Sequence, residues 1–365
     1  MSSQAIRRGA ASLGISVLVA AIALAISFAI IAATGSPAGE AVRALWDGAF
    51  GSKAQFASTL SEMLPLILVA LAWCVAFSSR RINVGLEGQM LVGGVLAAIA
   101  GLKLGLPAPL HLPVAVLAAI LGGLLWAGVA AWLWARFDVN DIIGTLMLNF
   151  VAIQLVSWLV RGPLQEPQKS FAQTAPIDGS ARWPNLLPGT VLSWNLVLVL
   201  AVVGLVWLLL RRTTFGFSLR LTGVNPDAAR AAGIRTRRVG VWALAISGGL
   251  AGLAGGSILL GGQSAVMTDN FSGGRGFEGI AVALLARNSP VACIPAAFLF
   301  AFLQQGGGLM EARVGVPSSL VSITQGLVIV LVAASGFLVA RLRAARLEKA
   351  TPTAAQLSPG VPAEA

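Results

Sequence analysis

The sequence predicts an all-α polytopic membrane protein of about ten transmembrane helices, and three observations predict it. Apolar side chains fill 57% of the 365 positions before the 42 glycines are counted. Charged residues make up only 11%, against about 25% in an ordinary soluble domain. Charge-free stretches long enough to cross a bilayer recur along the chain. A soluble fold of this length needs far more polar surface to cover its core, so a water-soluble enzyme and a disordered chain are both excluded.

A helix needs about 20 apolar residues to cross the hydrocarbon core, and a central charge costs about 2.5–3.5 kcal/mol. Charge-free stretches therefore mark the spans: 10–34, 63–79, 88–102, 113–135, 142–160, 190–210, 239–262, 279–286, 291–310 and 317–339. The third is short and the eighth very short. Arg7 and Arg8 before the first run also describe a signal peptide. That run exceeds the roughly 7–15 residues of a signal core, so an uncleaved span is expected. The bundle is expected over residues 1–348. The Pro/Ala/Ser-rich tail 349–365 is expected to be disordered.

Charge supplies the orientation. With both termini cytoplasmic and ten spans, the inner segments hold 17 Lys/Arg and six acids, and the outer segments hold eight of each. The whole net charge of +11 then sits on one face, as the positive-inside rule requires. It needs membrane lipid and no nucleic acid. Cys74 and Cys293 are expected to be packing thiols, more than two hundred residues apart in sequence, and His111 sits in a Pro-rich turn. That is too little for a metal site.

Glycine patterns describe the packing. Gly248, Gly252 and Gly256 on the seventh span, and Gly93, Ala97 and Gly101 on the third, recur every four residues and line one face each. A static bundle contact and a sliding gate are both compatible with them. The short third and eighth spans open with similar tetrapeptides, Gly85-Leu86-Glu87-Gly88 and Gly276-Phe277-Glu278-Gly279. Short, glycine-interrupted segments at matching places in two halves point to an inverted repeat. Glu87 is expected to brace the inner mouth and Glu278 the outer one, each on exposed helix-end amides.

The inner segment 211–238 carries seven arginines against one acid, Asp227. Asn225 is a good N-cap, Pro226 suits the first helical position, Asp227 complements the dipole, and Gly233 suits the C-terminal turn. A self-capped helix of about two turns is expected over 226–232. Held by the bundle or by a partner protein, it is either an interfacial connector or a transmission site.

Four blocks then resemble a known family. Ile82-Asn-Val-Gly-Leu-Glu-Gly-Gln-Met-Leu-Val-Gly93 looks like the Asn–Gly–Glu-Gly-Gln signature of permease subunits of ATP-binding-cassette importers, in the branch serving purine nucleosides and related simple sugars. Asn140-Asp-Ile-Ile-Gly-Thr-Leu-Met-Leu-Asn149 resembles that branch's next motif. Phe215-Gly-Phe-Ser-Leu-Arg-Leu-Thr-Gly-Val-Asn-Pro-Asp-Ala-Ala-Arg-Ala-Ala-Gly-Ile234 resembles its coupling loop, and Ser272-Gly-Gly-Arg-Gly-Phe277 a fourth block. The ribose-type Gly-Ile-Asp-Leu-Ser-Val-Gly stretch is absent, which favours the nucleoside-type branch. The family's neighbours of the fourth block are mostly apolar or small, and Glu278 departs from that.

The resemblance implies a type II importer-like fold. It assigns ATPase coupling to Arg220, Asn225, Pro226, Asp227, Ala228, Ala229, Arg230 and Gly233. It implies a cytoplasmic ATPase holding ATP and Mg, a second homologous permease, and an extracytoplasmic solute-binding lipoprotein. Candidate pathway residues are Glu87, Gln89, Asn149, Gln154, Glu278, Gln304 and Gln305. This chain carries no Gly-x-x-x-x-Gly-Lys-Ser/Thr loop, and no Ser/His/Asp or Cys/His constellation is expected because only His111 is available and no thiol lies near it in sequence, so it is expected to be no enzyme and to bind no cofactor or metal. Purine nucleosides or related ribosyl compounds are the expected cargo. Simple sugars, branched-chain amino acids and an ion-coupled secondary transporter are the alternatives.

Overall fold

A computed structural model describes residues 37–261 and 265–317, with isolated positions at 25, 319, 320, 322–327 and 330. The chain divides into two units, and everything below concerns the one formed by Ile31–Val321. The first expected span apart from residue 25, more than half of the tenth, and the whole tail 349–365 lie outside the described residues.

The helices run α1 (Ala38–Phe50), α2 (Lys53–Ser78), α3 (Leu86–Lys103), α4 (Ala108–Phe137), α5 (Asp141–Arg161), α6 (Asn195–Arg212), α7 (Thr214–Val224), α8 (Pro226–Ala231), α9 (Thr236–Gly261), α10 (Arg275–Leu285) and α11 (Cys293–Val314). Among the described residues, seven are long and apolar enough to cross a membrane: α2–α6, α9 and α11. The eight expected spans from 63 to 310 each fall on one helix, with α10 the very short one. Side-chain caps start several of them. Ser52 Oγ accepts from Gln55 N at 3.2 Å before α2, and Asn140 Oδ1 accepts from Ile142 N at 2.9 Å before α5.

Some boundaries differ from the charge-based ones, for a physical reason. A charge does not end a helix, so α2 starts ten residues earlier than expected and carries Glu62 within it. An amphipathic helix, α1, and a second short helix, α7, lie in stretches read as loops, and His111 lies in the first turns of α4 rather than in a turn of its own.

Helices α2, α3 and α9 are mostly buried, whereas α4, α5 and α6 present Leu, Ile, Phe and Trp side chains outward. The glycine faces explain the centre. A Cβ on Gly93 would collide with Gly252 of α9, one on Gly123 with Gly248, and one on Gly255 with the Met90 carbonyl of α3. Backbones of α3, α4 and α9 therefore touch directly, which suits a bundle without a hydrophobic drive between helices. Cys74 and Cys293, distant in sequence, meet between α2 and α11 with Sγ atoms 3.8 Å apart, both buried and free.

The 162–194 connection folds over one end of this core. Thr174 N donates to Met267 O at 3.0 Å, Ile177 N to Ala265 O at 2.9 Å and Trp183 N to Leu260 O at 2.9 Å. Contrary to expectation, a Ser/His/Asp chain does form at this connection. His111 Nδ1 lies 2.6 Å from Ser180 Oγ, which donates to Asp178 Oδ1 at 2.9 Å. Ser180's N–H and hydroxyl hold the Asp178 carboxyl below its usual range. The order is Asp–Ser–His, so the acid takes the hydroxyl instead of orienting the imidazole, and no activated nucleophile results. The chain fastens the connection to α4.

Candidate functional site

The sequence Asn83-Val-Gly-Leu-Glu-Gly-Gln89 builds the first half of the site. Before α3 the backbone is non-helical, and in apolar surroundings every unpaired amide there costs several kcal/mol. Asn83 meets that demand. Its Nδ2 donates to Gln89 Oε1 and to Ser247 Oγ of α9, both at 2.9 Å, and its Oδ1 accepts from Gly85 N at 3.1 Å and Gln89 Nε2 at 3.0 Å. Asn149 of α5 completes it, accepting from Gly88 N at 2.8 Å and donating to Val84 O at 2.9 Å. Gln89 and Asn149 therefore commit their amides to the chain itself.

The second half is Ser272-Gly-Gly-Arg-Gly-Phe277. Gly274 caps α10 at φ 79°, a left-handed conformation that glycine adopts without strain. A Cβ on Gly276 would strike the Glu87 backbone, so its bare Cα lets α10 reach α3. Glu87, 4% exposed, bridges the two: Oε1 accepts from Ser272 Oγ at 2.5 Å and Oε2 from Gly276 N at 2.7 Å. One carboxylate thus serves the positive ends of two helices.

The expected pairing of Glu87 with an inner mouth and Glu278 with an outer one is corrected by this geometry. Both acids flank the same α3–α10 junction, and Glu278 accepts from the side chain of Gln304 (2.6 Å to Oε2) rather than from helix-end amides. Among the described residues, neither Arg81 nor Arg275 forms an ion pair with Glu87 or Glu278. Arg81 pairs with Asp141 at 3.1 Å. Arg275 donates to Glu62 Oε2 through Nη2 at 2.5 Å and Nε at 3.2 Å, and to the Ser272 carbonyl at 3.1 Å. Glu62 and Arg275 side chains remain 35% and 21% exposed. Partly open charges within membrane helices mark a water-lined or protein-lined surface. Beside them Gln55, Gln304 and Gln305 line a groove of about 280 Å³ with Gly48, Gly308 and Leu309. Gln154 is exposed on α5 among Phe150, Val151 and Ile153, away from the other candidates.

The segment expected to couple to an ATPase lies elsewhere. Asn225 Oδ1 accepts from Asp227 N and Ala228 N at 3.0 Å each, and Gly233 adopts φ 81°, closing α8 one residue short of the expected end. Asp227, Ala228 and Arg230 are exposed, as is Arg220 on α7, but Ala229 is fully buried and turned inward. Val224 is 77% exposed beside them. A Cβ on Gly223 would strike the Ser78 carbonyl, so α7 rests its backbone on the end of α2.

Comparison with known proteins decides the family. The model described as branched-chain amino acid transport system / permease component matches residues 55–333. The chain belongs to that permease family. With seven membrane-length apolar helices among its described residues, this permease is a multi-pass membrane protein. It is 38% identical over 289 residues to a glucose ABC transporter permease protein of Haloferax volcanii, covering 76% of each chain. It is 34% identical over 319 residues to a guanosine ABC transporter permease protein of Bacillus subtilis, covering 86% of this chain and 91% of the relative. A second guanosine ABC transporter permease protein of the same bacterium is 26% identical over 257 residues, covering 68% and 79%.

Glu62, Arg275, Ser272 and Asn83 escaped the sequence reading of this permease's site. Glu62 lies outside the charge-free run that marks the span, since charge-free runs exclude every acid. Asn83 stood inside the quoted signature, and its position before a short span was the available signal.

Proposed function

We propose that this permease forms the membrane pathway of an ATP-driven importer of purine nucleosides or related ribosyl compounds. The observation that carries it is the 34% identity to the guanosine permease protein, which runs over nearly the full length of both chains. Three partners complete the machine: a cytoplasmic ATPase that holds ATP and Mg, a second homologous permease, and an extracytoplasmic solute-binding lipoprotein. That two permease proteins of one bacterium, both named for guanosine, resemble this chain supports an unlike pair. This subunit supplies no hydrolysis and holds no cofactor. Ten spans place both termini in the cytoplasm.

In this reading the ATPase engages the exposed side of α8. Its motion passes through α7 to the end of α2, where Gly223 rests on Ser78. Because α2 carries Glu62, a shift there alters the Glu62–Arg275–Glu278–Gln304 cluster. Cargo is moved by the difference in its affinity for the two states, not by bond chemistry. A simple-sugar reading is favoured by one observation, the 38% identity to the glucose permease protein.

Competition separates the two. Uptake of labelled guanosine by cells carrying the intact transporter should fall with unlabelled adenosine or inosine and not with ribose or glucose. Competition by glucose and not by nucleosides would move the permease to the sugar reading.

A further inference from the structure

A second groove, of about 400 Å³, lies between the α8-side ends of α4 and α9, lined by Ala135, Arg237, Arg238, Val241 and Trp242. It takes no part in the cluster around Glu87 or in the exposed face of α8. Three arginines stand in or beside it, Arg136, Arg237 and Arg238, against one carboxylate, Asp138. Arg237 donates to Asp138 Oδ1 at 3.1 Å. Arg136 lies over the Phe137 ring, 5.4 Å from its centroid, and neither Arg136 nor Arg238 has an ion pair among the described residues. Two positive charges are therefore left without an acid partner at the rim.

The apolar side of the groove does not stop there. On α4 it continues as an exposed stripe at helical spacing, Trp132, Val129, Leu125 and Leu121, and Trp242 stands 58% exposed on α9. A tryptophan beside arginines at a helix end is the composition of a membrane–water boundary. An occupant must therefore join an anionic head to an apolar chain running along a lipid-facing helix. Inorganic phosphate fits only the arginines. A partner protein docked on α8 has no reason to follow the α4 stripe into the bilayer.

We propose that this groove is a binding site for one anionic glycerophospholipid, with its phosphodiester held by Arg238 and Arg136, the two cations without an acid partner, and an acyl chain along Trp242 and the α4 stripe. On the proposed topology the lipid belongs to the cytoplasmic leaflet, where anionic headgroups meet basic side chains. Bound there, it bridges the ends of α4 and α9, two of the helices whose backbones touch in the core.

Native mass spectrometry of the whole transporter, held in micelles doped with phosphatidylglycerol or phosphatidylcholine, tests this. Wild type should retain phosphatidylglycerol in preference. Each arginine near an anionic headgroup contributes about 1 kcal/mol, about fivefold in affinity. Arg238→Gln should therefore weaken retention about fivefold without disturbing the Arg237–Asp138 contact, and the double change with Arg136→Gln should weaken it about 25-fold. Glycerol 3-phosphate should not displace the lipid. Equal retention of both lipids, or unchanged retention in both variants, overturns the proposal. Displacement by glycerol 3-phosphate would make the groove a soluble-phosphate site. Loss of the ATPase from the variants with lipid retention unchanged would give it to that partner.

Discussion

Arg275 is the cation beside three acids, Glu62, Glu87 and Glu278, at the junction of two helices that begin inside the bundle. Removing one partner of a buried ion pair costs about 3–5 kcal/mol, and exposed pairs contribute about 0–1 kcal/mol. With both side chains between a fifth and about a third exposed, Arg275→Gln should cost about 1–3 kcal/mol, an intermediate value. Uptake should drop at least tenfold at unchanged membrane abundance, with partial recovery in Arg275→Lys. Gln154→Ala, on an outward face, should leave uptake at the wild-type level. Uptake assays with immunoblot normalisation check both, and a wild-type rate in Arg275→Gln would remove the cluster from the mechanism. At this scale the sequence was partly legible. Glycines flanking Glu87 marked a carboxylate that meets helix-end amides, and it does, on another helix. Glu62 was hidden by the rule that charge bounds a span. Its role exists only where α2 and α10 meet, and no local pattern reports that meeting.

At the scale of elements, the glycine faces and the caps were readable because each is a local geometric demand. Gly252 lies against Ala119 O and Gly123, so Gly252→Leu has no room and should abolish folded, extractable protein. Gly204 on α6 has open space around it, and Gly204→Ala should be neutral or stabilise by up to about 1 kcal/mol through helix propensity. Fluorescence-detected size exclusion distinguishes the two. On α8 the burial of Ala229 separates packing from docking. Ala229→Arg forces a charge into the chain's own interior and should lower the amount of folded protein. Ala228→Arg, on the exposed side, should leave folding intact and cut copurification of the ATPase. Equal copurification with wild type would reject the docking face. Helices α1 and α7 were not readable from charge-free runs, since Glu40, Arg43 and Asp47 in α1 and Arg220 in α7 interrupt them.

At the scale of the whole molecule, composition made the membrane bundle legible at once, while the meeting of α3 with α10 waited on tertiary structure. The charge asymmetry makes a prediction of its own. In a background with Cys74 and Cys293 replaced, Ala228→Cys should resist an impermeant thiol reagent applied to intact cells, and Asn185→Cys should react. The reverse pattern would invert the topology. The central claim is that the pathway runs on ATP and carries nucleosides. The most direct measurement is labelled guanosine uptake into proteoliposomes holding the complete transporter, binding protein included, with ATP on the α8 side. The account predicts uptake that requires ATP and persists when ionophores collapse proton and sodium gradients. Uptake that proceeds without ATP and vanishes with the ionophores would contradict it.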